Sequence, residues 1–186
     1  MKLVVIAASA GGIDALTQVL SRLPADLPAA VLIVQHLRYN RPTRLHEHLA
    51  RLSPLPVRLA EDGLPLEAGV AYLAVPGKHL RIENGCLALD LGEPVHYVRP
   101  SADVLFFSAA QAFGSRVIGV VLSGTGRDGA RGCQEIKAKG GMTIAQDEQS
   151  TRYFAMAKAA IELGVIDYVL PLPKIAGKIV ALVQQA

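Results

Sequence analysis

Short apolar runs, each followed by a segment with helical spacing, constrain the fold of this chain more than any other feature. Continuous apolar strands are typical of parallel sheets that helices cover on both faces. A chain that alternates such strands with helices folds as an α/β protein with right-handed crossovers. The runs are KLVVIA (2–7), AAVLIVQH (29–36), RVIGVVLS (116–123), MTIAQD (142–147) and VIDYVL (165–170).

Between these runs, apolar residues recur at helical spacing, and the middle third of the chain has a different character. There, short strand-like pieces over 70–75, 79–83 and 86–91 are separated by PGK and NG turns. We therefore predict a doubly wound, mostly parallel α/β sheet flanked by helices, with a small antiparallel β-hairpin region in the middle third. One domain is expected to span 1–186. The predicted helices cover 12–23, 41–52, 101–113, about 130–139, about 154–163, and the chain from about 173.

Composition excludes several classes of function. The net charge is only +3, no run of five basic residues occurs, and aromatic residues make up 5% without any Trp, so we expect no nucleic-acid partner. Cys86 and Cys133 lie far apart, which argues against a disulfide framework or a metal knuckle. The first apolar run is shorter than a secretory signal and far shorter than a membrane span. We expect a cytoplasmic protein without membrane insertion.

The stretch AASAGG (7–12) follows the first predicted strand and allows three interpretations. It resembles a signal cleavage site, a phosphate-binding loop, or the tight turn that presents a nucleophilic serine, here Ser9. The preceding apolar run is too short for the first interpretation. Neither this stretch nor GTGRDGAR (124–131) contains GxGxxG or the GK[ST] ending of a P-loop, which weakens the second.

Three residues of catalytic type follow predicted strands: Ser9, His36 and Asp128. The carboxyl ends of parallel strands meet at one edge of a sheet, so these residues are expected to converge. His36 could act as general base for the Ser9 hydroxyl, and Asp128 could orient the imidazole. Each also has a structural interpretation: Ser9 and Asp128 as helix N-caps, and His36 as a histidine paired with its neighbours. Together they favour a Ser-His-Asp hydrolase.

Six motifs of this chain resemble, in order and spacing, the catalytic domain of the chemotaxis protein-glutamate methylesterase (CheB) family. The resemblance covers essentially the whole chain, and six ordered motifs are far more specific than any one of them. The motifs are IAASAGG, VQHL, YLAVPGKH (72–79), RPSADVLF (99–106), LSGTGRDGA (122–130) and TIAQDE (143–148).

The resemblance implies a serine hydrolase that removes methyl groups from glutamate methyl esters on the cytoplasmic helices of chemoreceptors. Such an enzyme releases methanol, can deamidate certain receptor glutamines, and needs no cofactor or metal. The resemblance makes Ser9 the nucleophile, His36 the general base and Asp128 the orienting carboxylate. It also implies that the backbone amides of Ala10 and Thr125 line the oxyanion region.

Several positions depart from the family pattern. Ala10 stands where a threonine is usual, and Arg127 adds a charge beside the expected site. The regulated family enzyme carries a receiver domain, whereas we expect none within 1–186. A separate regulatory domain or protein is therefore a further expected partner.

Arg38 and Arg99 are the candidate substrate-binding residues. Arg38 belongs to a basic segment that could face the acidic helices of a receptor, and pairing of these arginines with Glu47 or Glu61 on a solvated surface is the alternative. Two other classes of function stay open: a non-catalytic partner-binding relative of this fold, and a nucleotide-binding domain. The basic segment that contains Arg38 also includes Arg41, Arg44, Arg51 and Arg58.

Overall fold

A computed structural model of the protein describes residues 1–185, which contain six α-helices and nine strands. The strands are β1 (Lys2–Ala8), β2 (Ala29–Gln35), β3 (Val57–Leu59), β4 (Ala71–Leu73), β5 (His79–Glu83), β6 (Cys86–Asp90), β7 (Val117–Val121), β8 (Met142–Gln146) and β9 (Tyr168–Leu170). The helices are α1 (Gly12–Leu20), α2 (Leu45–Leu52), α3 (Ala102–Phe113), α4 (Ala130–Ala138), α5 (Ala155–Glu162) and α6 (Leu172–Gln184).

Seven strands form one parallel sheet in the order β3-β4-β2-β1-β7-β8-β9. The strands β1, β2 and β7 occupy its centre and are almost completely buried, as their continuous apolar sequences require. Strands β5 and β6 form a separate antiparallel hairpin. The predicted fold class, a doubly wound parallel sheet with a small hairpin, is confirmed.

Two hydrophobic layers cover the sheet. Helices α1, α2 and α6 pack on one face, where Leu16 and Ile179 are fully buried. Helices α3, α4 and α5 and the β5–β6 hairpin pack on the other, around Phe106 and Ile136. Alternate residues of β1 point into the two layers, as period-2 strand geometry dictates. Within residues 1–185, no helix is both long and apolar enough to span a membrane.

The middle third differs from the prediction in one respect. The run over 70–75 was expected in the hairpin region, but β4 lies within the parallel sheet, between β3 and β2. The hairpin itself contains only β5 and β6, joined by a turn at Asn84 and Gly85, which both have positive φ. Strands β3 and β4 each have three residues, which is too short for periodicity to separate a sheet strand from a hairpin strand.

The strand order places a topological switch point at the centre of the sheet. From β1 the chain passes to β2 on one side, and β7 later adds to the other side. Because the sheet is parallel, the loops after β1, β2 and β7 leave at the same edge. In open α/β sheets the crevice at such a point is the usual place for a functional site.

Candidate active site

A cleft of about 560 Å³ opens at the carboxyl ends of the three central strands. Ser9 follows β1, His36 follows β2, and Asp128 lies in the loop between β7 and α4; all three line the cleft. Thr125 and Arg127 complete the side formed by that loop. The structure therefore brings together three side chains that are separated by up to 119 positions in the sequence.

The backbone of Ser9 is fixed on both sides. Its N–H donates to the carbonyl of Ser123 at 2.9 Å, and its carbonyl accepts the N–H of Gly12 at 2.8 Å. Gly11 has φ +71, a conformation that glycine adopts without steric cost, and it is the N-cap of α1. The interpretation of Ser9 as the cap of α1 is wrong, because α1 has no side-chain cap bond. Within residues 1–185 the Ser9 hydroxyl forms no hydrogen bond.

Gln35 links the backbones of Ser9 and His36. Its buried Nε2 donates to the carbonyl of Ser9 at 2.9 Å and to the carbonyl of His36 at 3.1 Å. The N–H of His36 in turn donates to the carbonyl of Ala8 at 3.0 Å, which continues the pairing of β1 with β2 beyond the ends of both strands. The histidine therefore extends from a rigid strand end rather than from a mobile loop.

His36 and Asp128 form a short hydrogen bond, with 2.7 Å between Nε2 and Oδ2. The His36 side chain is 13% exposed and that of Asp128 only 3%, so the bond lies at the floor of the cleft. The interpretation of His36 as a histidine paired with its neighbours and the interpretation as a general base share this contact. What distinguishes them is the adjacent serine.

The carboxylate of Asp128 lies at the N-terminus of α3 rather than at that of its own helix. Oδ2 accepts the N–H of Ala102 at 2.6 Å, and Oδ1 accepts the Ser101 hydroxyl at 2.7 Å and the N–H of Asp103 at 3.0 Å. Helix N-termini carry unpaired N–H groups and favour negative charge. Gly129, not Asp128, is the N-cap of α4. The alternative interpretation of Asp128 as the cap of α4 is therefore wrong: Asp128 caps α3 instead.

These hydrogen bonds keep Asp128 ionised despite its burial. Burial alone would raise the pKa of Asp128, but the bonds from His36, Asp103, Ala102 and Ser101 outweigh that effect and hold its pKa below the ordinary value. An ionised carboxylate only accepts hydrogen bonds, so His36 Nε2 must carry the proton. In neutral His36 this leaves the lone pair on Nδ1, which is free to accept a proton. In the reference Ser-His-Asp triad Nδ1 faces the carboxylate, whereas here Nε2 does.

Asp103 makes the reciprocal contact. From α3, its Oδ1 accepts the N–H of Gly129 at 3.0 Å and of Gly132 at 2.7 Å, both at the start of α4. Its Oδ2 lies 2.9 Å from Nε2 of His96. Burial, together with the nearby charge of Asp128, raises the pKa of Asp103, and the bonds from Gly132 and His96 oppose the shift. Asp128 thus caps α3, the helix that contains Asp103, and Asp103 caps α4, the helix that follows Asp128.

The atoms of His96, Asp103 and Asp128 that could ligate a metal lie within 4.8 Å of one another. Both carboxylates, however, already accept several N–H or O–H groups from the two helix N-termini. A cation there would have to displace these donors, so the cluster fits helix capping better than metal binding.

The two residues whose amides are predicted to line the oxyanion region each share a cavity lining with Ser9. Thr125 lines the main cleft, and Ala10 lines a recess of about 270 Å³ that also includes Ser9 and His36. Neither the N–H of Ala10 nor that of Thr125 donates to another group within residues 1–185. Unpaired N–H groups are what stabilisation of an oxyanion requires, and the oxyanion role of these two stays a prediction.

The two candidate substrate-binding arginines lie outside the cleft lining. Arg38 is exposed in the loop after β2. Arg99 donates from Nη1 to the carbonyls of Leu91 and Gly92, which ties it to the loop after β6. Their contact with substrate stays a prediction. In the basic segment, Arg44 pairs with Glu47 as the surface alternative expects, whereas Arg58 pairs with Glu67 rather than Glu61.

Sequence reasoning missed the residues that support Asp128 and His36. Ser101 and Asp103 lie in the motif RPSADVLF, at the start of a predicted helix, which is a usual place for serine and aspartate. Nothing in that pattern indicates that the two residues bond to a loop 25 or more positions away. Gln35 belongs to the motif VQHL, and its clamp on two carbonyls is visible only once β1 and β2 are paired.

Gly124 is expected to tolerate no side chain. A Cβ at this position would lie 2.9 Å from Cβ of Ser9 and 2.8 Å from Cε of Met156, closer than real side chains pack. Gly124→Ala should therefore displace Ser9 and lower kcat on an activated ester roughly ten- to hundredfold, because misplacement of about 1 Å has an effect of that size.

The control is Gly177→Ala in α6, where an added Cβ meets nothing within 4 Å. This variant should keep full activity and gain up to about 1 kcal/mol of stability, the usual advantage of alanine over glycine in a helix. Equal rates for the Gly124 variant and the wild type would show that the turn has room to spare.

The lowered pKa of Asp128 predicts how stability depends on pH. The stability that this group contributes is present above its unfolded pKa of about 3.9 and is lost as pH falls through the lower folded value. Asp128→Asn should be less stable than wild type by about 1–3 kcal/mol at pH 7, since it disrupts bonds to buried donors. Urea unfolding between pH 7 and pH 2 should show this gap closing below about pH 4. A gap of constant size across that range would contradict the assignment.

Comparisons by sequence and by structure all match this chain to one protein family. The family model described as CheB methylesterase matches residues 4–179. A protein-glutamate methylesterase/protein-glutamine glutaminase of Pyrococcus horikoshii is 44% identical over 185 residues, which are 97% of this chain and 50% of that protein. The protein-glutamate methylesterase/protein-glutamine glutaminase 2 of Anaeromyxobacter dehalogenans is 47% identical over 175 residues, which are 94% of this chain and 51% of that protein.

A solved structure matches the fold over nearly its full length. The crystal structure of the Thermotoga maritima CheB methylesterase catalytic domain superposes with a TM-score of 0.93 at 37% identity, covering 97% of this chain and 98% of that one. The chain spans about half the length of the curated relatives it matches.

Proposed function

Since this chain belongs to the CheB methylesterase family, we propose that it is a serine hydrolase that removes methyl groups from glutamate methyl esters on proteins. The expected products are methanol and a glutamate carboxylate. The curated relatives are named as methylesterases and as glutaminases, so the same site is proposed to release ammonia from glutamine side chains. The proposed substrates are the cytoplasmic helices of chemoreceptors, and the proposed location is the cytoplasm.

The observation that carries this proposal is the bond of 2.7 Å between His36 and Asp128 next to a serine with an unengaged hydroxyl. A buried ionised carboxylate stabilises the imidazolium that forms when His36 takes a proton. The Ser9–His36 bond itself would form on substrate binding, as catalytic hydrogen bonds commonly tighten only in the complex with substrate.

The proposed reaction begins with attack of Ser9 Oγ on the ester carbonyl carbon, while the hydroxyl proton passes to His36 Nδ1. The carbonyl oxygen becomes an oxyanion, which accepts the free N–H groups of Ala10 and Thr125. The C–OCH₃ bond then breaks, and the methoxy oxygen takes the proton from His36 and leaves as methanol.

Hydrolysis of the acyl-enzyme repeats these steps with water as the nucleophile. His36 accepts a proton from the water that attacks the acyl carbon, and it returns that proton to Ser9 Oγ as the acyl bond breaks. The glutamate side chain leaves as a carboxylic acid, which ionises to the carboxylate by losing its remaining proton to solvent at neutral pH.

The test is a methanol-release assay on receptor fragments that carry glutamyl methyl esters, with ammonia release from the glutamine form measured in parallel. We expect release of both products and no stabilisation of the protein by nucleotides in a thermal shift assay. Binding of the fragments without release of methanol or ammonia would instead support the non-catalytic relative of this fold.

A further inference from the structure

The segment from Val95 to Val98 forms a two-residue turn beside the cleft. The N–H of Val95 donates to the carbonyl of Val98 and the N–H of Val98 to that of Val95, both at 3.0 Å. The two central residues have positive φ, +51 for His96 and +64 for Tyr97. Turns of this type are dominated by Asn and Gly, because most side chains disfavour the conformation.

The turn is fixed to the helices that support Asp128. His96 Nε2 bonds to the buried Asp103 at 2.9 Å, and Asp103 also accepts two N–H groups at the start of α4. Neither central residue is the amino acid that the backbone prefers, and a bulky residue with positive φ is uncommon. Such conformations persist where the surroundings over-determine them, and they cluster at binding sites.

The Tyr97 side chain projects from the turn into solvent at the cleft. Tyr97 is as exposed as it would be in an extended chain, at 101%, and it lines the cleft together with Ser9 and His36. A side chain this exposed contributes no burial to folding. The unusual backbone conformation therefore presents an aromatic ring that residues 1–185 do not use.

Arg127 lines the same cleft from the β7–α4 loop and is exposed. Its guanidinium has no ion-pair partner within residues 1–185. Tyrosine and arginine are, with tryptophan, the residue types enriched among those that dominate binding energy at protein interfaces. A cleft that carries one of each suits a protein segment with acidic residues near the scissile side chain better than it suits a small ester.

We propose that Tyr97 is a specificity-determining residue that packs against the protein segment on either side of the modified glutamate, and that the turn anchored by His96 preorganises it. Fixing the backbone from which the ring projects, before substrate arrives, reduces the entropy lost on binding. This inference rests on the proposed function, because it concerns how the same cleft distinguishes a protein substrate from a small ester.

The experiment compares Tyr97→Ala with wild type on two substrates, a methylated receptor fragment and p-nitrophenyl acetate. We expect kcat/KM on the receptor fragment to fall about tenfold or more, mainly through KM, as for a central interface tyrosine. Activity on the small ester should change less than about twofold, because that substrate lacks the protein segment that Tyr97 is proposed to bind. Tyr97→Phe should retain most of the receptor activity because it keeps the ring.

The control is Leu163→Ala, which removes an exposed apolar side chain (46%) that lies outside both the cleft and the segment of Arg38. It should change neither activity. Equal losses on both substrates for Tyr97→Ala, or no loss on either, would overturn the inference.

Binding of the receptor fragment to Ser9→Ala and to Ser9→Ala/Tyr97→Ala separates this inference from the proposed function. We expect the dissociation constant to rise about tenfold in the double variant. An unchanged constant overturns the role of Tyr97 even if the wild type hydrolyses receptor esters. A raised constant supports that role even if methanol release fails.

Discussion

Ser9→Ala is expected to abolish methanol release, with a loss of at least about 10³-fold in kcat, while the fold is retained. Alanine removes the only group proposed to form a bond to the acyl carbon, and residual catalysis by binding and the oxyanion amides is far slower. The fold should survive because the Ser9 hydroxyl makes no hydrogen bond within residues 1–185, and the turn is held by backbone atoms and Gln35. Single-turnover release of methanol from a receptor fragment measures the loss.

Ser21→Ala is the matched control for this variant. Ser21 is exposed at the end of α1, and among residues 1–185 its hydroxyl donates only to the carbonyl of Gln18. Its activity should equal that of wild type. A serine-directed organophosphorus reagent should label wild type and Ser21→Ala but not Ser9→Ala. Methanol release by Ser9→Ala near the wild-type rate would remove the nucleophile from the proposal.

The second large effect is expected for Asp128→Asn, which should lower kcat on the order of 10³-fold. Asparagine lacks the charge that stabilises the imidazolium of His36. Both Asp128 oxygens accept N–H groups, from Ala102 and from Asp103, so the amide NH₂ of asparagine must face a donor whichever way it turns. Facing His36, it would donate to Nε2 and move the ring proton to Nδ1, where it blocks transfer from Ser9.

Asp167→Asn separates the chemical effect from the effect of altering a hydrogen-bonded carboxylate. Asp167 accepts the N–H and the hydroxyl of Thr143 and pairs with Lys137. It directly precedes β9, the edge strand, so it lies away from β2. This variant should lose stability but keep its rate per folded molecule. If the two variants lose activity in proportion to their stability alone, Asp128 has a structural role only.

The central part of the site could be predicted because it depends on strand ends. Ser9 and His36 directly follow β1 and β2, whose apolar sequences identify them as neighbouring buried strands, and parallel pairing then brings the two residues to one edge. Asp128 follows β7 by several residues, but the glycines around it mark the loop. The resemblance of six motifs assigned the roles.

The supporting contacts could not be predicted, because they depend on how helices pack rather than on local pattern. Taken singly, Ser9 and Asp128 are also typical of residues that cap the helix that follows them. The structure gives those caps to Gly11 and Gly129 and turns Asp128 toward α3 instead. Likewise, three residues of β4 contain too little pattern to place it in the sheet, and only its register with β2 and β3 does so.

The exchange of caps between α3 and α4 couples the candidate active site to the packing of the two helices. Asp128 satisfies the first amides of α3, and Asp103 satisfies those of α4, so neither helix start is complete until the two segments dock. Docking also delivers the carboxylate to His36. On heating or storage, catalytic activity and folded structure should therefore be lost together. No long-lived population should keep the fold after losing activity.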